Sequence, residues 1–339
     1  MRGTNPGSKP ATLAWTGAVV SADTRPWFEA VPAAAARTPS AGVRVSRARA
    51  DSPSLNAKTA AIVIPAHNEG RVIERCLSTL LRDARPGELE IVVVCNGCSD
   101  DTAHRARAFA GEFVKVIETD VASKTNALNL GDQQVSTFPR FYVDADIELS
   151  ITAVRDVAGM LRDDSPVVVA APRAVVSYRD RPWPVRAFYH VWTSLPYFRE
   201  NMIGSGVYAF SRKGRALFGE FPTLTADDEF ARLQVGPQQR RASDNSRFII
   251  HPPRTIHGLV DIMTRARSGM YEFEQRFPAL TANNQTSSGR SLRIIASTPS
   301  LWPYAPVYLG VMAVAALRAR RRLRQGTDAA WERDDSSRE

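Results

Sequence analysis

At 339 residues, 44% hydrophobic and 23% charged, the chain carries enough apolar material for one large core or two small ones, which excludes a wholly disordered protein. Its apolar residues are scattered, and no stretch before residue 294 is long and apolar enough to cross a bilayer, which excludes a multi-span transporter. The 44 Lys+Arg outweigh the 35 Asp+Glu, which favours anionic partners, while three cysteines are too few and odd in number to staple a secreted domain and point to a reducing cytoplasm.

Residues 1–57 are rich in Ala, Pro, Ser and Arg and lack any sustained period, so a disordered N-terminal tail is expected there. The run Ala11 to Val20 imitates a secretory leader, but Thr12, Thr16 and Gly17 break it, and a mis-assigned start or a loose tail accounts for it better. Ala60 to Pro65 predicts a short buried strand, and Glu69 to Arg82 a helix, with Val72, Ile73, Cys76, Leu77 and Leu80 at helical spacing. Glu90 to Val94 repeats the strand, apolar enough to be buried on both faces of a parallel sheet, and a helix starts near Asp100. Val114 to Glu118 predicts a third strand, Lys124 to Val135 a helix, and Arg140 to Val143 a fourth strand ending at Asp144. This alternation specifies an α/β protein with a doubly wound sheet, whose ligand crevice lies at the carboxyl ends of the strands. Further on, a helix is expected over Ile151 to Leu161 and a strand over Val167 to Ala171. Tyr178 to Tyr197 is aromatic but broken by Pro182, Pro184 and Pro196; a strand over Gly204 to Phe210 and a short helix from Asp227 to Val235 follow.

Polar motifs sit at those strand ends. His67-Asn68-Glu69 follows the first strand, Asn96-Gly97-Cys98-Ser99-Asp100 the second, and Asp144-Ala145-Asp146 the fourth, while Lys124 and Asp227-Asp228-Glu229 open helices. Two carboxylates one residue apart at a strand mouth suit Mg²⁺ or Mn²⁺, hard cations that share carboxylate and phosphate oxygens. Free amides at a helix start near Glu69 suit an anion, with simple capping by Asn68 as the plainer reading. Cys95 and Cys98 form a Cys-x-x-Cys without a second pair or a His cluster, so no zinc or redox site is expected. Gly204-Ser205-Gly206 does not follow the first strand and no acidic ribose reader comes after it, so it is not a dinucleotide loop.

In order and spacing these pieces resemble the family 2 glycosyltransferases with the GT-A fold, over roughly residues 59 to 280. The resemblance implies a GT-A type doubly wound mixed sheet flanked by helices. It implies inverting transfer of a sugar from a nucleoside diphosphate to an acceptor hydroxyl on a glycan or lipid-linked acceptor. Pro65, Asn68, Glu69, Asn96, Asp100, Lys124 and Asp144 would bind the nucleotide sugar, and Asp146 with Asp144 the metal. Gly204, Ser205 and Gly206, with Arg265 and Arg267, would border acceptor and diphosphate; Asp228 would be the base and Asp227 its support. Asn96 stands where relatives commonly carry a carboxylate, which leaves the nucleobase open. Arg265, Arg267 and Gly269 stand where many relatives carry Gln-x-x-Arg-Trp; its absence speaks against processive polymer synthesis. A nucleotidyltransferase is the first rival, but its glycine-rich basic first loop is missing after Ile64. A non-catalytic nucleotide-sugar-binding protein is the second, and the presence of all the expected carboxylates argues against it. No nucleic-acid partner is expected.

At the carboxyl end, Ile294 to Leu317 has no charged residue and is followed by Arg318, Arg320, Arg321, Arg322 and Arg324. Pro299, Pro303 and Pro306 interrupt it, and Val307 to Leu317 reaches only about 16 Å at ~1.5 Å per residue, short of a hydrocarbon core of about 30 Å. The expectation is shallow attachment to the cytoplasmic face of a membrane, with arginines meeting anionic headgroups; a core helix with a solvated basic end is the rival. The expected organisation is a tail over 1–57, a GT-A domain over 58–285 and an apolar, basic extension over 286–339.

Overall fold

The computed structural model describes residues 58–111, 113–199, 203–284 and 288–325, so the expected N-terminal tail lies outside the described residues. The first half alternates strand and helix: β1 (Ala60–Ala66), α1 (Ile73–Leu81), β2 (Leu89–Asn96), α2 (Thr102–Arg107), β3 (Val114–Thr119), α3 (Lys124–Gln133) and β4 (Arg140–Val143). β1 lies between β2 and β4, and β2 between β1 and β3, all parallel. This explains the continuous apolar runs: Ile62, Ile64, Ile91 and Val93 join the core on one face, and Ala61, Val63, Val92 and Val94 the core on the other.

The second half is less regular: β5 (Glu148–Leu149), α4 (Ile151–Met160), β6 (Val169–Val176), α5 (Trp183–Trp192), α6 (Pro196–Arg199), β7 (Val207–Phe210), α7 (Arg212–Arg215), α8 (Asp227–Leu233), β8 (Arg240–Ile250), α9 (Ile256–Arg276), α10 (Pro278–Thr281), α11 (Ser288–Ser297) and α12 (Ala305–Gln325). The eight strands form one sheet in the order β3-β2-β1-β4-β7-β6-β8-β5. β7 runs antiparallel to β4 and β6, so the sheet is mixed, as the resemblance implied.

Several elements differ from the sequence reading. α1 begins at Ile73 instead of Glu69, because Asn68 adopts a left-handed backbone (φ 54°) and residues 69–72 make a turn in which Val72 N and Ile73 N donate to Glu69 O. In the aromatic stretch the prolines stand at helix starts, where no amide is required: Pro184 in the first turn of α5 and Pro196 at the start of α6. β8 is not legible in the sequence because its inward positions include serines; Ser243 and Ser246 hydroxyls both donate to Asp156 Oδ2 of α4, each at 2.5 Å.

The carboxyl-terminal apolar run divides at a 3₁₀ turn over Pro299–Leu301, and Pro306 falls in the first turn of α12, so that helix continues unbroken for 21 residues. Tyr308, Val311, Ala315 and Ala319 are buried along one stripe. Tyr308 and Val311 join α5 and α9 residues in a third core, where the Tyr308 and Phe188 rings lie 5.2 Å apart. Among the described residues no helix is long and apolar enough to cross a membrane.

Candidate active site

The loops leaving β1 and β2 brace each other. Asn68 Oδ1 accepts from Ser99 N (2.7 Å) and Asp100 N (3.2 Å), while Gly70 N donates to Asp100 Oδ2 (3.1 Å) and Glu69 N to Thr102 Oγ1 (2.7 Å). Cys98 Sγ donates to Ala66 O and accepts from Asn68 N, so the Cys-x-x-Cys is a brace inside this crossing. Gly97 (φ 59°) is required where the chain passes the loop after β3, because a Cβ there would lie 2.7 Å from that of Ala122. Asn96 is wholly buried, and neither of its side-chain amide atoms has a hydrogen-bond partner among the described residues, while its backbone carbonyl meets His67 Nδ1 at 2.6 Å. Pro65 is buried within β1, in register with Val94.

A second group gathers at the exit of β4. Lys124, the first residue of α3, sits where Ser123 caps the helix by accepting from Asn126 N. Its Nζ lies 2.7 Å from Asp144 Oδ1 and 3.0 Å from Asp227 Oδ1. Burial alone would lower the basicity of this amine, but the carboxylates of Asp144, Asp227 and Asp228 outweigh it and hold the ammonium charged. Asp227 is 2% exposed, and burial raises its pKa to about 6; Lys124 opposes that rise and Asp228 and Asp144 add to it. The Tyr208 hydroxyl of β7 also donates to Asp227 Oδ2, at 3.0 Å.

Asp228 is only half-buried, and two backbone amides hold its carboxylate: Ser205 N donates to Oδ2 (3.0 Å) and Glu229 N to Oδ1 (2.8 Å). Such an approach demands an unusual backbone. Gly204 (φ 108°), Ser205 (φ 58°) and Gly206 (φ 107°) are successive left-handed residues, and a Cβ on Gly204 would lie 2.8 Å from Asp228 Oδ2. Gly206 O accepts from Asp144 N at 2.8 Å, which ties this crossing to the exit of β4.

The structure therefore brings Lys124, Asp144, Asp227, Asp228 and Gly204 to Gly206 into one cluster, with Asp146 half-buried two residues beyond Asp144. Arg265 and Arg267 lie on α9, and Arg267 acts electrostatically on Tyr308 of α12. Sequence reasoning missed Tyr208, whose only signal was a hydroxyl in an otherwise apolar strand.

Among the described residues, no group of three or more His, Cys, Asp or Glu side chains is arranged to hold a metal by itself. The donor chemistry of Asp144 and Asp146 is nevertheless compatible with Mg²⁺ or Mn²⁺. Both offer hard oxygens, and these ions commonly take one or two carboxylates and complete their shell with phosphate oxygens and water.

Residues 61–218 match the family described as glycosyl transferase family 2. This segment is a family 2 glycosyltransferase domain. A 4,4'-diaponeurosporenoate glycosyltransferase of Staphylococcus aureus (strain USA300) is 30% identical over 102 residues, 29% of this chain and 27% of that protein. The matched part of the chain thus spans about a quarter of that relative's length. Among solved structures, a mannosyltransferase from Pyrobaculum calidifontis, in complex with GDP-Man and Mn²⁺, superposes with a TM-score of 0.50 at 20% identity, covering 80% of this chain and 77% of that one. The fold shared with it is the mixed, helix-flanked sheet of GT-A type.

Proposed function

We propose that this chain transfers a sugar from a nucleoside-diphosphate sugar to an acceptor hydroxyl, with inversion and with dependence on Mg²⁺ or Mn²⁺. The observation that carries the reading is the single cluster in which Lys124 joins Asp144 to Asp227 while the Gly204–Gly206 crossing holds Asp228 beside them. Residues 58–285 would hold this activity, with 286–339 as a C-terminal extension.

Asp228 takes the acceptor hydroxyl's proton as the oxygen attacks the anomeric carbon opposite the departing diphosphate, a role worth about 10² to 10⁴ in rate. Its two amide partners fix the plane of the carboxylate before substrate arrives. Asp227 positions Lys124, and Lys124 makes three neighbouring carboxylates compatible in a half-closed site. Asp144 and Asp146 would hold the cation, which when bound supplies positive charge against the diphosphate. The loops braced through Asn68, Glu69, Asn96 and Asp100 receive the nucleoside. The acceptor we infer is a glycan or a lipid-linked molecule at the cytoplasmic face of a membrane.

Product analysis tests the reading. Incubation with nucleotide sugars, Mn²⁺ and candidate acceptors is expected to release nucleoside diphosphate and to give a product of inverted anomeric configuration by NMR. Release of pyrophosphate would replace the proposal with a nucleotidyltransferase. Retained configuration would remove Asp228 as the base. Stabilisation by nucleotide sugars without any turnover would leave a binding protein.

A further inference from the structure

From Phe277 to Thr327 the sequence contains seven arginines and no aspartate, glutamate or lysine. The fold collects much of this charge on α12, whose two sides differ. The inner stripe, Tyr308, Val311, Ala315 and Ala319, is buried, and Arg318 turns toward α9 to pair with Asp261 at 2.9 Å. The outer side carries Leu309 (42% exposed), Val314 (41%) and Leu317 (56%), and one turn further Arg320, Arg321 and Arg324, all exposed. The spacing 309, 313, 317, 320/321, 324 keeps these residues on one helical face, apolar for its first turns and cationic for its last. Trp302, in the turn that leads into α12, is 57% exposed.

We propose that this outer face of α12, with Trp302, seats on an anionic phospholipid bilayer. The charge fixes the sign of the partner, since Arg320, Arg321 and Arg324 are exposed together in a stretch of sequence that contains no acidic residue, and such a surface attracts a negative one. The leucines and the tryptophan fix its kind: exposed apolar side chains beside cationic ones suit an interface with both headgroups and acyl chains. Arginine stems lie along that apolar surface while their guanidinium groups reach phosphate. A nucleic acid would meet the arginines but would gain little from Leu309, Val314 and Leu317. The seat differs from a detached amphipathic segment, because the inner stripe stays in the protein core and only the outer residues enter the interface. α9 connects the two regions: α12 packs on it, and its Gly269 packs closely against Thr225 and Ala226, just before Asp227. The inference stands on charge and exposure, independently of the transferase reading.

Flotation of the full chain with vesicles tests it. Binding to phosphatidylglycerol–phosphatidylcholine vesicles at low salt is expected, with weak binding to pure phosphatidylcholine and a decline as salt rises. The variant R320Q/R321Q/R324Q should partition roughly a hundredfold more weakly into the anionic vesicles. The variant W302S/L309S/L317S should lose the binding that survives raised salt. Because all six residues are exposed, both variants should melt as the wild type does. Protein that remains unbound at low salt overturns the proposal, as does equal binding to neutral and anionic vesicles. Tighter retention on double-stranded DNA than on vesicles, unaffected by W302S/L309S/L317S, overturns it in favour of a nucleic-acid surface.

Discussion

Two aspartates side by side carry unequal burdens. Asp227 is sealed beneath Tyr208 and Lys124, whereas Asp228 is half-buried and its carboxylate is held by two backbone amides. Substituting Asp228→Asn should therefore lower turnover by about 10² to 10⁴ while nucleotide affinity stays nearly constant, since the base acts on the acceptor. Steady-state kinetics beside nucleotide titration checks this, and a matching loss of nucleotide affinity would reassign Asp228 to donor binding. Lys124 is the opposite case. Lys124→Ala leaves Asp144 and buried Asp227 facing each other without a cation, and breaking a buried pair in this way costs about 3 to 5 kcal/mol. A large fall in the urea midpoint, partly relieved by adding Asp227→Asn, is the expected outcome; simple additivity of the two changes would mean that they do not act as a pair. Asp146→Ala should weaken Mn²⁺ and nucleotide-sugar binding together and leave the fold intact, as isothermal titration and thermal melting would record.

At the scale of elements, one clamp joins α4 to the start of β2. Arg155 Nε donates to Glu88 Oε1 (2.6 Å) and Nη2 to Oε2 (2.7 Å), a bidentate pair that lowers the Glu88 pKa from 4.5 to about 2. A depressed carboxylate stabilises the fold fully above its unfolded pKa and loses that contribution as pH falls through its folded one. Glu88→Gln should accordingly cost about 1.5 to 3 kcal/mol at neutral pH, with the two melting curves converging between pH 4.5 and about 2. A gap that persists at the lowest pH would place the effect outside this ion pair. β1 and β2 were legible in the sequence because strands buried on both faces run apolar almost throughout, while β3, at the edge of the sheet, carries Lys115 and Glu118 among its apolar residues. β8 was not, since serines satisfied by Asp156 break its apolar pattern. Nor was the meeting of Lys124 with Asp227, which depends on β7 turning antiparallel and carrying Gly204 to Gly206 past β4. The motifs themselves could be read individually, but their closure into one cluster is a property of the sheet order.

Across the whole molecule, α12 decides how the carboxyl-terminal segment relates to the rest. An apolar run ending in arginines suggested shallow attachment to a membrane face, with a core helix as the rival, and periodicity alone could not say which side of it was spoken for. The third core answers for the inner side: Tyr308 packs at 5.2 Å from the Phe188 ring, with Val185 and Val191 of α5 and Leu259 of α9 around them. Removing that ring leaves a cavity between three helices that are each fixed elsewhere, so the site has little freedom to collapse. Tyr308→Ala should then cost about 3 to 5 kcal/mol, the usual toll for a large aromatic side chain taken from a core. Leu317→Ser, nine residues further along the same helix but on its exposed face, should leave the melting temperature within the small range of surface substitutions. Equal sensitivity at the two positions would mean that the outer face is also covered in solution, and a silent Tyr308→Ala would mean that α12 leaves the third core readily.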